Sequence, residues 1–168
     1  MERKAREKHN RDFKSFVDSV QSISNGSIDF DIPYRELGFY GVPTKSNVYL
    51  MPTVNCLVSV VEMPFFLIAL EDIEVAHFER VQFNLRNFDI VFVYKDYSKL
   101  PVRISNISTE YLEPIRDWLD DINVLFSESP NPLKWANVMK EVNKDLENFV
   151  ENGGWNFLHD QSESDDEK

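Results

Sequence analysis

The middle of the sequence consists of short apolar segments, and no other feature restricts the fold as strongly. Between residues 56 and 107 these segments are rich in Val, Ile, Phe and Tyr, and they read "CLVSVV", "FFLIAL", "IEVAHF", "FDIVFVY" and "PVRISNI". Segments of this length and composition predict β-strands. The connections between them are too short for the helical crossover that parallel strands need. The sequence therefore predicts an antiparallel sheet or barrel, with "PVRISNI" as its last strand.

Two further elements are predicted before this region. Residues 28–32, "IDFDI", alternate apolar and acidic side chains, which predicts a half-buried strand. An amphipathic helix is predicted from about Arg3 to Ser22. Its apolar spacing of three and four is carried by Phe13, Phe16, Val17 and Val20. The first half of this helix is polar and mostly basic, which is typical of a helix that is solvated or bridges to another body.

After Ile107 the period becomes helical again. One apolar face is formed by Leu112, Ile115, Trp118 and Leu119. Pro114 is compatible with this helix only in its first turn, because an interior proline would break a backbone hydrogen bond. A helix in this place is expected to cover an open end of the barrel. The predicted fold class is therefore mostly β with helices (α+β), an antiparallel barrel closed by a helix.

A short helical hairpin is predicted after the closing helix. Asn131 is expected to cap its first helix with Pro132 at the first helical position. The apolar stripe of that helix consists of Trp135, Val138, Met139 and Val142. Asp145 is expected to cap the second helix, which Gly153 and Gly154 end. The aromatic segment that follows, residues 155–158, is predicted to be exposed and to need a cover.

Charge and composition exclude several classes of protein. The 168 residues carry 18 Lys and Arg against 29 Asp and Glu, a formal net charge of −11, which argues against unaided binding to nucleic acid or to an anionic membrane surface. A basic protein partner fits better. One cysteine, Cys56, excludes an intramolecular disulfide and a cysteine metal site. The charged first residues lack the apolar core of a signal peptide, and no segment has the roughly 20 apolar residues of a membrane span.

No catalytic constellation is visible. His9, His77 and His159 are far apart in the sequence and lack the spacing of a zinc motif. His77 lies within a predicted strand, where a structural role is expected. No nucleophile elbow occurs, and Gly38 and Gly41 lack the residues that would make a phosphate loop. The sequence predicts that the protein is not an enzyme and needs neither a cofactor, a metal nor a small-molecule substrate.

Several motifs, in this order, resemble one known family. "DFDIPYRELGFYGVP", "FERVQFNLRNFDIVFVYKDY", "EPIRDWLDDINV", "KWANVMKEV" and "ENGGWNFL" together cover nearly the whole chain. They closely resemble the middle domain of the large subunit of FACT, the eukaryotic histone chaperone. The resemblance implies a tandem pair of pleckstrin-homology-like domains, of which this chain holds the second. It divides the chain into a connector helix (1–27), a pleckstrin-homology-like domain (28–122), a U-shaped helical extension (123–159) and an acidic tail (160–168).

The resemblance also implies a function and a binding surface. In this family the extension grips the histone dimer on the outer face of the nucleosome core, and the acidic tail binds the same dimer in competition with DNA. The histone-binding residues carried over by motif are Trp135, Val138, Met139, Val142, Phe149, Trp155, Phe157 and Leu158. The tail residues are Glu163, Asp165, Asp166 and Glu167. The implied partners are core histones and the nucleosome, with the sister FACT subunit contacted elsewhere, and the implied location is the nucleus and chromosome.

Other interpretations stay open beside this one. A Trp, Val and Met stripe at helical spacing is more often core than interface, and an acidic tail is usually only solvated. A second candidate surface, for histone acids or DNA phosphates, is basic and consists of Arg80, Arg86, Lys95, Lys99 and Arg103. A general protein-interaction scaffold is the alternative function. Phosphoinositide binding is weaker, because the "ELGFYGVPTKSNVYL" region offers only Lys45, so no lipid partner is expected.

Overall fold

The computed structural model of the protein describes residues 2–160, which form two compact units, one up to Ile32 and one from Pro33. The first unit is built on helix α1 (Glu2–Ile23), which confirms the predicted N-terminal helix. None of its residues is buried, and the rings of Phe13 and Phe16 are largely exposed and 6.4 Å apart. The apolar stripe of α1 is therefore uncovered within its own unit.

The strand predicted at residues 28–32 is wrong, since no strand forms there. The Asp29 carboxylate accepts hydrogen bonds from the Phe30 backbone N–H and the Gln21 side-chain amide, both at 2.9 Å. Such local bonds compete with strand pairing for the backbone. Alternation alone does not make a strand, because a strand also needs a neighbour for its backbone groups.

The second unit contains two four-stranded sheets. The first sheet has the order β1-β2-β3-β4 and is antiparallel throughout; its strands are β1 (Phe39–Gly41), β2 (Val48–Pro52), β3 (Cys56–Ser59) and β4 (Phe66–Ala69). The second has the order β7-β6-β5-β8, with strands β5 (Ile73–Glu79), β6 (Asn87–Tyr94), β7 (Val102–Ser108) and β8 (Leu125–Ser129). A backbone bridge between Val42 and Ser105 joins the sheets. The predicted strands between residues 56 and 107 are therefore confirmed.

Helix α2 (Leu112–Asp121) closes the core between the sheets. Its buried residues Ile115, Trp118 and Leu119 belong to the same cluster as the inward side chains of the strands, and Pro114 lies in the first turn as predicted. The largest fully buried rings of this cluster are Phe39, Phe78, Phe88 and Phe92. The α+β class is thus confirmed, and two four-stranded sheets joined by a backbone bridge and capped by a helix are consistent with a pleckstrin-homology-like fold.

The prediction that "PVRISNI" forms the last strand is wrong, because β8 follows α2 and pairs parallel with β5. Strand β8 has the sequence LFSES, and its serines are buried while its first leucine is exposed. A strand that buries hydroxyls does not show the expected apolar alternation. With β8 in place, β5 is paired on both edges, and one of its faces packs into the main core while the other receives the C-terminal segment.

The substitution Gly41→Ala is expected to lower the stability of the second unit by about 1–3 kcal/mol. A Cβ atom at this position would lie 2.6 Å from the Ile104 side chain and 3.2 Å from those of Ile107 and Leu50. These neighbours are fully buried, so they have little room to move. Urea unfolding measures the effect, with Ser46→Ala in the exposed loop that follows as the control. Equal stability of the two variants would contradict the close packing of β1 on β7.

The remaining helical elements are short. The C-terminal segment carries α3 (Trp135–Lys144), α4 (Leu146–Glu151) and α5 (Phe157–Asp160). Single 3₁₀ turns occur at Arg35–Leu37, Leu70–Asp72, Thr109–Tyr111 and Gly154–Asn156. None of the helices in residues 2–160 is long and apolar enough to cross a membrane.

Candidate functional site

The C-terminal segment, residues 133–159, is called the extension below. Its first helix does not begin as predicted: Asn131 and Pro132 lie outside it, and α3 starts at Trp135. The reason is tertiary, because the Leu133 backbone N–H donates to the Glu79 carboxylate of β5 at 2.8 Å. This bond holds the chain in a non-helical path until it has crossed the sheet.

The start and the end of the second helix of the extension, α4, follow the sequence prediction. The Asp145 carboxylate accepts from the Asn148 backbone N–H at 3.0 Å, which confirms it as the cap of α4. The helix ends at Glu151, and Gly153 takes the left-handed conformation with φ of 91°. This conformation favours glycine, and it turns the chain back so that α5 can reach the sheet.

A second apolar core lies between the extension and the outer face of β5 and β6. Its sheet side consists of Val75, Val91 and Val93, and its extension side of Trp135, Met139 and Leu158. Val142 is also buried. Four of the eight predicted histone-binding residues are therefore core residues in this structure, and Leu158, expected in an exposed cluster, has no exposed surface. The reason is that α5 packs back on the sheet and buries Leu158, whereas Trp155 and Phe157 of the same segment are half-buried.

A polar layer lies beneath this second core, and the sequence analysis missed it. Glu79 is fully buried, and its Oε1 accepts from the Leu133 N–H and from the Trp135 indole N–H at 2.7 Å. Its Oε2 forms an ion pair with the Arg103 guanidinium at 2.7 Å, although no N–H points along that line. An unpaired buried carboxylate is very costly, so these contacts are what keeps a charge tolerable in the core.

His77 is the second buried polar group of the layer. Ser129 donates its hydroxyl proton to the Asn131 carbonyl at 2.6 Å, so its oxygen accepts from His77 Nε2 at 3.1 Å. His77 Nδ1 then accepts from the Ser127 hydroxyl at 2.7 Å. Burial, with a smaller contribution from the charge of His159, lowers the pKa of His77 from 6.5 to about 4. The ring is therefore neutral at physiological pH, and the predicted structural role of His77 fits this environment.

The opposite side of the extension is anchored by an aromatic cluster around Tyr97. The Trp155 indole N–H donates to the Tyr97 hydroxyl at 3.1 Å, and the Phe149 ring meets the Trp155 ring edge to face at 5.1 Å between centroids. The Tyr97 carbonyl accepts from the Asn143 side chain at 2.8 Å. Burial raises the pKa of the Tyr97 hydroxyl, and the Trp155 hydrogen bond opposes this. Nothing in the sequence around Tyr97 marks it as a docking residue.

The three helices of the extension enclose an open groove of about 780 Å³. Its apolar lining includes Val138, Phe149 and Phe157, all half-buried, together with the buried Val142. Trp155 is half-buried as well but does not line the groove. Glu141 and Asp145 add carboxylates, Lys144 adds an ammonium group 3.5 Å from the Glu141 carboxylate, and side-chain amides line the groove at Asn137, Asn148 and Asn152. A groove with half-buried rings, amides and an excess of one carboxylate over its lysine suits a peptide surface that has an apolar side chain beside a basic one.

A further apolar strip lies on the outer side of α4. Leu146 and Val150 are exposed one turn apart and are flanked by Glu147 and Glu151. The same combination of apolar and acidic side chains thus occurs on both sides of the short helix. The extension therefore presents aromatic and aliphatic anchors within reach of carboxylates.

The five residues of the predicted basic surface do not come together. Arg80 forms a bidentate pair with Asp89, at 3.0 and 2.6 Å, and these bonds raise the pKa of its guanidinium. Arg103 is engaged by Glu79. Arg86 precedes β6 and Lys95 follows it, so about 30 Å of strand separates them. Lys99 lies over the Tyr94 ring, 5.2 Å from its centroid. A contact of the exposed members with DNA or histones stays a prediction.

The predicted tail residues Glu163, Asp165, Asp166 and Glu167 lie outside the described part of the chain. Within residues 2–160, no group of three or more His, Cys, Asp or Glu side chains is arranged to hold a metal ion.

The second unit is thus an α+β unit consistent with a pleckstrin-homology-like fold, and its helical extension carries aromatic and acidic side chains. Residues 40–128 match the family model "Histone chaperone Rttp106-like, middle domain". This match covers more than half of the chain, and the chain belongs to that family.

Curated relatives agree with this assignment. The chain is 46% identical over 158 residues to FACT complex subunit SPT16 of Dictyostelium discoideum, and 47% identical over 157 residues to the proteins of the same name of Aspergillus fumigatus and Candida albicans. These matches include 93–94% of the chain but only 15% of each relative. The resemblance to the FACT large subunit is confirmed, and the chain spans about 15% of the length of these relatives.

Proposed function

We propose that this chain is a non-catalytic histone-binding module that acts in the nucleus on chromatin. The extension binds core histones, first the outer histone dimer and in a larger assembly the tetramer. It competes with DNA while nucleosomes come apart and re-form in transcription and replication. In this proposal the nucleosome is the assembly on which the module acts, and the sister FACT subunit is bound by regions outside this chain.

The observation that carries the proposal is the groove of the extension. It combines accessible rings, Phe149 and Phe157, with the carboxylates of Glu141 and Asp145 in one concave surface. A few aromatic anchors supply most of the energy of a protein interface, and carboxylates attract and orient a basic partner. The matching family model is described as a histone chaperone, and the similar proteins are named as FACT complex subunits, which supports histones as the partner.

The competition with DNA follows from charge. A histone surface that normally contacts DNA is basic, and DNA binding to it weakens steeply with salt because counterions are released. The chain carries a formal net charge of −11, and it therefore competes with DNA for the same basic sites on the histone. Apolar contacts within the groove add an attraction that salt does not screen. Because these apolar contacts do not depend on charge, we expect the module to keep hold of a histone at salt concentrations that release the histone from DNA.

One further observation favours the scaffold alternative. The connection between β3 and β4 exposes consecutive apolar side chains, and Glu62 is its one charged residue. Its exposed members are Val60, Val61, Met63 and Phe65, and Leu67 within β4 is exposed as well. An apolar patch of this kind is typical of a protein interface. Binding through it would be insensitive to salt, which distinguishes it from histone binding through the groove.

The test is calorimetric titration of the chain into the outer histone dimer at about 0.15 M and about 0.3 M salt. We expect Glu141→Lys, which reverses an exposed charge in the groove, to weaken binding at least about tenfold, about 1.4 kcal/mol. The matched control is Glu71→Lys, which makes the same charge change at an exposed position in the 3₁₀ turn that connects β4 to β5. Absence of binding by the unaltered chain, or equal loss in both variants, would reject the groove as the histone site.

A further inference from the structure

Glu79 stands out among the buried groups because its partners come from two different parts of the chain. It lies at the end of β5 with no exposed surface. Oε1 receives the Leu133 backbone N–H and the Trp135 indole N–H at 2.8 and 2.7 Å, and Oε2 lies 2.7 Å from Arg103 Nη2 on β7. One carboxylate therefore links the sheet to the first residues of the extension.

Arg103 contacts the same point of the chain. Its Nη2 also donates to the Leu133 carbonyl at 3.5 Å, so the pair holds both backbone groups of Leu133. The side chain of Arg103 is only partly buried, whereas that of Glu79 is fully enclosed. The pair therefore sets where the chain leaves the sheet and in which direction α3 begins.

Apolar packing alone would not define this geometry. Trp135, Met139 and Leu158 rest on a valine surface of β5 and β6, and hydrophobic contact is non-directional. Hydrogen bonds to a buried carboxylate have a narrow range of distance and angle. The neighbouring hydrogen bond between His77 and Ser127 joins β5 to β8, and His77 meets α3 through ring packing on Trp135, 5.6 Å between centroids.

We propose that Glu79 and Arg103 act as a positioning pair, called the clasp below, which holds the extension in one orientation on the sheet and so sets the alignment of its groove. The positioning itself does not depend on what the groove binds. Its consequence for histone affinity rests on the proposed function. Loss of the clasp leaves α3, α4 and α5 with their apolar contacts but without a defined direction, so they detach locally more often while the two sheets stay folded.

The test is hydrogen exchange of the whole chain, read at amides of residues 136–158 and at those of β1 to β4. Glu79→Gln and Arg103→Gln are each expected to speed exchange in the extension about tenfold or more, with no change in the first sheet. In the double variant the fold-increase in exchange rate is expected to be smaller than the product of the two single fold-increases, because the two residues act as a unit. Arg103→Lys keeps the charge beside Oε2, and it is expected to restore part of the protection.

The matched control is Arg80→Gln. It breaks the adjacent ion pair with Asp89, whose carboxylate accepts from Arg80 and from the Asn106 backbone N–H of β7, so exchange at residues 136–158 is expected to stay as in the unaltered chain. Equal effects of Glu79→Gln and Arg80→Gln on the extension would overturn the clasp, as would a uniform rise over both sheets or full additivity of the double variant.

Histone titration of the same variants separates the two proposals. Faster exchange in the extension with unchanged histone affinity supports the clasp and rejects the groove as the histone site. Faster exchange with a matching loss of affinity supports both. Unchanged exchange overturns the clasp, whatever the affinity does.

Discussion

Replacing Trp135 by alanine is expected to lower the free energy of unfolding by about 3–5 kcal/mol, the usual cost of removing a large buried aromatic side chain. Trp135 is only 7% exposed and is the largest member of the second core. Its ring meets the His77 ring at 5.6 Å and the Trp155 ring at 6.2 Å, and its N–H donates to Glu79. The substitution therefore opens a cavity and removes a donor from a buried carboxylate.

Two further variants separate these causes. Trp135→Phe keeps most of the ring but not the donor, and about 1.5–3 kcal/mol of destabilisation is expected because the lost hydrogen bond goes to a buried carboxylate. The control is Phe83→Ala, because the Phe83 ring is fully exposed in the turn between β5 and β6 and buries no apolar surface. Urea unfolding followed by circular dichroism measures all three. A loss below about 1 kcal/mol for Trp135→Ala would mean that the extension is not packed on the sheet as described.

Acidification is expected to destabilise the protein through His77 by about 3 kcal/mol between pH 6.5 and pH 4. The pKa of His77 is about 4 in the folded chain against 6.5 in an unfolded one, and the difference corresponds to that free energy. The physical cause is burial of the ring, with His159 adding a smaller repulsion. The contribution is fully present above pH 6.5, because both states are then neutral.

The sign follows from proton binding. Between pH 6.5 and pH 4 the unfolded chain binds a proton at residue 77 and the folded chain does not, so falling pH favours unfolding. Below pH 4 both forms are protonated and the loss stops growing. Other groups titrate in the same window, so the contribution of His77 is isolated by comparison with a variant.

His77→Gln is suitable because glutamine can donate and accept hydrogen bonds toward Ser127 and Ser129 without titrating. The stability of the unaltered chain minus that of the variant is expected to fall by about 3 kcal/mol from pH 7.5 to pH 4. Denaturant unfolding at closely spaced pH values measures this difference. A difference that stays constant with pH would show that the pKa of His77 is the same in the folded and the unfolded chain, which contradicts the effect of burial.

Much of the sheet was predictable because its strands are marked by local composition. Val, Ile, Phe and Tyr in short runs identified β3 to β7, and the spacing of Ile115, Trp118 and Leu119 identified α2. Strand β8 was missed because its buried residues are Ser127 and Ser129, whose burial depends on His77 of another strand. His77 lies 50 and 52 positions before these two serines, so no local stretch of sequence shows both sides of the interaction.

The candidate site was located correctly along the chain but not in its details. The stripe of Trp135, Val138, Met139 and Val142 predicts an amphipathic helix without saying what its apolar face meets. The structure turns Trp135 and Met139 toward the valines of the sheet and leaves Val138 at the groove. Arg103 was interpreted as a surface charge, because the sequence does not indicate its distance from Glu79.

The sequence by itself determined the elements that depend on neighbours along the chain: the helix α1, the strands between residues 56 and 107, the closing helix and the Asp145 cap. Only the tertiary structure decided which apolar residues of the extension are core and which are accessible. It also decided that Glu79, Arg103 and His77 form a polar layer beneath them. The physical reason is that burial and ion pairing are properties of residues brought together across 24 to 56 positions of sequence, as Arg103 with Glu79 and Trp135 with Glu79 show.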